Sequence, residues 1–229
     1  MFELDFFFRY KPLNSILLMD QLKTRIKKFN EIIDRTFDDD EGESEYRIEQ
    51  AETSSKEELK ELSAFFDAEI PQELLAFYLQ IGGIRNHAFD VYGLNIPPAY
   101  GLLKQLKAER RYEKRQSMRL IDGIKHSWSN DRPEFSHIPE SQINYINANY
   151  KCIGLHHYDW QFEEAFYIYF DKNHQFGLLR YHQDKFDTLW QEHLTPLLTE
   201  SQANQTLEQL LIQVLDRLEE GILNDFNGN

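Results

Sequence analysis

Glu164-Ala165-Phe166-Tyr167-Ile168-Tyr169-Phe170 is followed by Asp171-Lys172-Asn173-His174 and then by Gln175-Phe176-Gly177-Leu178-Leu179-Arg180-Tyr181. Two runs of aromatic and branched residues flank a polar tetrad. Such residues suit a pleated, buried surface, and the tetrad supplies turn formers. The stretch therefore predicts an antiparallel β-hairpin near 164–181. Working outward, helical periodicity lies on both sides of it. The order is helices, strands, helices, without strict βαβ alternation, which predicts a single α+β domain with a mostly antiparallel sheet packed by several helices.

Downstream, Phe186, Leu189, Trp190 and Leu194 predict a helix over 185–198, with Pro196 weakening its last turn. Leu207, Leu210, Leu211, Val214, Leu215, Leu218 and Ile222 then form one apolar stripe, opposite Glu208, Asp216, Arg217 and Glu219. Upstream, Leu22, Ile26, Phe29 and Ile33 predict an amphipathic helix over 20–37. Ser54 or Ser55 stands three residues before Glu57 or Glu58, the spacing of a capping box that opens a second helix. A third helix starts near Pro71, carries Leu74, Leu75, Tyr78 and Ile81, and stops at Gly82-Gly83. Residues 87–96 read as extended, 99–119 as a basic helix, and 122–150 as polar and irregular.

Charge is the strongest compositional signal. There are 39 acidic residues against 25 basic ones, a net −14, so the field repels nucleic acid and anionic membranes and attracts cationic partners. Acidity of this kind also serves solubility alone. The run Asp38-Asp39-Asp40-Glu41 heads a block of like charge that reads as a solvated loop and as a docking surface for a basic partner. Within 99–119, seven basic residues face only Glu109 and Glu113. A phosphate-facing helix is one reading; a solvated face beside the acidic loop fits an acidic chain better. Trp128 stands isolated in a polar segment, either an interface anchor or a side chain turned onto the core.

The single cysteine, Cys152, cannot form an intrachain disulfide and sits in an apolar run, so it reads as a buried small hydrophobe. No apolar run approaches a membrane span. The N-terminus lacks the basic start and small-residue cleavage site of a signal peptide, and Met19 offers an alternative start to Met1. A cytoplasmic protein is expected. The chain has no Gly-x-Ser-x-Gly elbow, no phosphate-binding glycine loop and no His-Glu-x-x-His pair. His156-His157-Tyr158-Asp159 is the nearest approach to a metal cluster. Adjacent strand residues point to opposite faces, so this pair reads as loop or rim histidines. No catalytic residue, metal site or cofactor is expected.

The segment Ile70-Pro71-Gln72-Glu73-Leu74-Leu75-Ala76-Phe77-Tyr78-Leu79-Gln80-Ile81-Gly82-Gly83 resembles the opening signature of the SUKH superfamily. Ile153-Gly154-Leu155, the hairpin with His182, and the helix from Phe186 are similar to its later blocks in order and spacing. Ile81 stands where Asn is frequent, and Asp159-Trp160-Gln161-Phe162-Glu163 replaces a Gly-rich acidic turn. The resemblance covers roughly residues 54–198. On this reading, residues 1–50 are a helix and acidic loop packed on or appended to a SUKH-like domain over 51–229, with the stretch near 99–150 inserted.

The resemblance implies a sheet packed by helices and no enzymatic activity. Its bacterial members neutralise polymorphic or contact-dependent toxins as immunity proteins; its fungal members, of the Smi/Knr type, regulate cell-wall assembly. The chain is therefore expected to bind a protein, above all a cationic toxin domain, and neither nucleic acid nor membrane. Asp38, Asp39, Asp40 and Glu41 would steer the partner, with Trp128, Asp159 and Trp160 anchoring it. A regulatory or scaffold module without a toxin partner is the alternative. A nucleic-acid module using 104–119 and an enzyme with an unfamiliar site are further ones.

Overall fold

The computed structural model describes residues 19–37, 45–88, 92–127, 133–157, 164–182 and 184–227. Its fold is α+β. Among the described residues six strands form one antiparallel meander in sequence order: β1 (Glu49–Gln50), β2 (Ile84–Arg85), β3 (Leu94–Ile96), β4 (Tyr150–His156), β5 (Glu164–Asp171) and β6 (Phe176–His182). The hairpin forms as the sequence predicts, with Glu164 opposite His182 and Phe170 opposite Phe176. His174 takes a positive φ in its turn. The Asp171 side chain accepts from the backbone N–H groups of Asn173 and Gln175 at 2.9 and 3.0 Å, which closes the loop.

Side chains alternate between two apolar clusters. Ile153, Ile168, Phe170 and Phe176 enter one of them. They meet there α1 (Asp20–Thr36), α2 (Lys56–Phe66), α3 (Gln72–Gln80), α4 (Ala99–Lys107) and α8 (Leu207–Asn227). Cys152, Ala165, Tyr167, Tyr169, Leu179 and Tyr181 enter the other. That face is covered by α5 (Leu120–Ser127), α6 (Glu140–Asn149) and the segment from α7 (Phe186–Thr188) to Leu198. The period-2 geometry of a strand puts these two clusters on opposite faces of the sheet.

Local rules explain most elements. Ser55 caps α2 in a capping box with Glu58, a motif that satisfies otherwise orphaned N–H groups. On α1, Leu22, Ile26, Phe29 and Ile33 are all buried, each contributing roughly 1.5–3 kcal/mol relative to exposure. They pack in one cluster with the stripe of α8. Arg25 adds contacts to Asp216 at 2.7 Å and Glu219 at 2.8 Å. Glu73 of α3 accepts from the Leu207 N–H at 2.7 Å and so caps the start of α8.

Four expectations are corrected. The basic helix ends at Lys107 and does not reach residue 119. Positions 109, 110, 113 and 117, which would extend its apolar stripe, are Glu, Arg, Glu and Ser. The chain turns instead to bury Met118, and the Met118 carbonyl accepts from the Cys152 N–H at 2.8 Å. The described residues of 122–150 form α5, a 3-10 turn (Pro133–His137) and α6, because Leu120, Ile121, Ile124 and Ile146 are needed to cover the sheet; 128–132 lie outside the described residues. The strand expected over 87–96 is confined to Leu94–Ile96, with 89–91 outside the described residues. The buried side chain of Asn86 takes the Leu94 N–H and the Tyr92 carbonyl. The helix over 185–198 is one α-turn, a π-turn (Leu189–Leu194) and a 3-10 turn (Pro196–Leu198). Pro196 has no N–H to continue an α-ladder, and the Thr195 N–H reaches five residues back to Trp190.

Gly82 stops α3 at φ +88°, and a Cβ there would lie 2.1 Å from the Glu52 carbonyl oxygen. Gly82→Ala should therefore lower unfolding free energy by about 2–4 kcal/mol, combining left-handed strain with overpacking. Urea titration checks this: a midpoint equal to the parent's would contradict the close approach.

Candidate functional site

A cleft of about 240 Å³ opens where α4 and α5 meet β3, β4 and β5. Helix α5 comes close to the sheet at Gly123, where a Cβ would meet Cys152 Sγ at 2.7 Å and Arg115 Nη2 at 3.2 Å. Only a glycine lets the helix approach Cys152 this closely. Arg115 reaches the cleft from the turn after α4 and is 5% exposed. Its Nε donates to the Ser117 carbonyl at 2.9 Å and its Nη2 to the Cys152 carbonyl at 2.6 Å. Among the described residues no carboxylate pairs with it.

Titratable groups around the cleft are shifted mainly by burial. The Cys152 thiol is pushed up, with Arg115 opposing, and it donates weakly to the Gly154 carbonyl at 3.6 Å. The Tyr78 hydroxyl is pushed up by complete burial, again with Arg115 opposing. His126 is held below the usual imidazole range by burial and then by Arg115. The Nδ1 of His126 lies 3.3 Å from the Lys114 carbonyl. His157 places its Nδ1 2.9 Å from the Glu164 carbonyl, which fixes Nδ1–H as the donor there. Cys152 and the two histidines line one cleft, and among the described residues the thiol donates to the Gly154 carbonyl and not to an imidazole. A buried thiol whose titration is raised is a poor nucleophile. No group of three potential metal ligands occurs among the described residues.

Asp38, Asp39, Asp40, Glu41, Trp128, Asp159 and Trp160 all lie outside the described residues. Their described neighbours in the chain do not. Phe37, just before the acidic run, stacks on Tyr46 at 5.1 Å and meets Phe226 edge-on at 5.0 Å. Ser127, bonded to Trp128, and His157, the last described residue before Asp159 and Trp160, both line the cleft. Ser127 and His157, thirty residues apart in sequence, are thus brought to one cleft. Cys152 is buried as expected, at 3% exposure. The histidine pair is not at a rim in the sense expected, since both members are buried. Strand β4 runs through His156, which stacks on Phe166 at 4.7 Å, while His157 turns to the cleft. Sequence reasoning missed Arg115, counting it with a solvated basic face; the loss of apolar spacing after Leu106 was the available signal.

Comparison of the chain with protein-family models, with curated proteins and with solved structures gave no match. No helix among the described residues is long and apolar enough to cross a membrane.

Burial depresses His156 to about 3. The unfolded chain takes up that proton near ~6.5. Stability from this group is complete above that value and lost as pH falls toward the folded value, by up to about 1.4 kcal/mol per pH unit. His126 and His193 are shifted in the same direction. The urea midpoint should fall between about pH 7 and pH 5. His156→Phe should flatten that slope, and an equal slope in the variant would show that His156 is not its source.

Proposed function

We propose that the chain is a non-catalytic intracellular protein-binding domain, and specifically an immunity protein that masks a cationic bacterial toxin domain. The observation that carries this reading is that Ser127 and His157, close in sequence to Trp128 and to Asp159 and Trp160, line one cleft. Trp is the residue type that contributes most at the centre of a protein interface. The net charge of −14 supplies a field that draws in a basic partner. The resemblance to SUKH immunity proteins supports the same reading.

The tagged chain, expressed in its native cell, is the bait, and the captured protein is then produced alone for kinetics. Its contact domain should be cationic, and adding the chain should stop its toxicity. The association rate should drop about tenfold or more as salt rises from ~0.05 to ~0.5 M. Trp128→Ala and Trp160→Ala should each speed dissociation about tenfold or more, equivalent to over ~1.4 kcal/mol. An acidic partner, or rates indifferent to salt and to both substitutions, would overturn the reading. Capture of a non-toxic regulatory assembly would favour a scaffold role instead.

A further inference from the structure

The cleft holds an uncompensated cation. Arg115 carries a guanidinium charge, yet only 5% of it is exposed. Burial without a counter-charge is unfavourable unless other groups replace the lost hydration. Here the carbonyls of Ser117 and Cys152 accept from Nε and Nη2. The remaining N–H groups of the guanidinium have no oxygen partner among the described residues. The surroundings register the same excess: the charge of Arg115 adds to the downward shift of His126 and opposes the upward shifts of Tyr78 and Cys152.

The walls define what would fit. Asn95, Gln105 and Ser127 bring amide and hydroxyl groups, and Pro97 and Leu155 bring apolar surface. The cleft volume of about 240 Å³ falls below the roughly 300–1,000 Å³ of sites for drug-sized ligands. Besides the carbonyls of Ser117 and Cys152 the guanidinium meets the Cys152 thiol but no carboxylate among the described residues, and a guanidinium suits the two oxygens of a carboxylate or phosphate in a charge-assisted pair. We propose that the cleft is a binding site for a small organic oxyanion, a carboxylate or phosphate monoester, anchored by Arg115. The site does not depend on the protein-partner reading, so either can fail alone.

The test uses the full chain, titrated with inorganic phosphate and separately with acetate at constant ionic strength set by sodium chloride. The His126 ring resonances are followed by NMR, and heat is measured by calorimetry. At least one anion should bind saturably, with a dissociation constant on the order of 1 mM for so small a probe. The tighter anion assigns the headgroup. Arg115→Gln should weaken binding about tenfold or more. Because that change alters a buried residue, Gln105→Glu provides a second arm: it sets a resident carboxylate in the cleft wall and should compete the anion away. No saturable response to either anion in the parent, or undiminished binding in both variants, would overturn the proposal.

Discussion

Strand β5 has no exposed side. All eight residues from Glu164 to Asp171 are buried, with Ala165, Tyr167 and Tyr169 in one cluster and Ile168 and Phe170 in the other. A strand covered on one face alone would leave two of its four aromatic rings in water. The rest of the architecture answers that demand, since helices must lie on both faces even though the sheet is antiparallel. The polar ends of the strand are satisfied locally: Glu164 binds Arg180, and Asp171 holds the turn.

How far the sequence could be read follows from the same demand. Elements whose apolar spacing is complete within one helix were legible: the stripes of α1 and α8, and the capping box of α2. Elements that exist to cover the second face were not. Helix α5 is short and contains Gly123, a poor helix former whose presence is required by its contact with Cys152. Helix α6 offers mainly Ile143 and Ile146 among polar residues, with Asn147 buried to accept from the Ile121 N–H. Propensity and periodicity cannot see a tertiary contact of that kind. The π-turn at Leu189–Leu194 is likewise a compromise between Pro196 and the burial of Leu189, Leu194 and Leu197.

The cleft was legible only in fragments. Cys152 could be placed in the core from its apolar neighbours. Arg115 could not be placed, because its burial depends on the chain leaving the helix after Lys107 and crossing to β4. The same departure gives the cleft its character. A positive group lies inside a strongly negative molecule, so the field that draws a basic macromolecule to the exterior differs from the field a small anion meets within. Both can operate on one chain because the low-dielectric surroundings of Arg115 make its local field far stronger than the screened field outside.

Helix α1 leans on α8, with Arg25 reaching Glu219 across 194 residues of chain. At ribosomal speeds of ~5–20 residues per second, the partner of α1 arrives between about 10 and 40 s after α1 itself. Through that interval Leu22, Ile26, Phe29 and Ile33 have no α8 to cover them. A nascent chain so placed is a natural client for holding factors, and its yield in a cell depends on translation rate as well as on the finished fold.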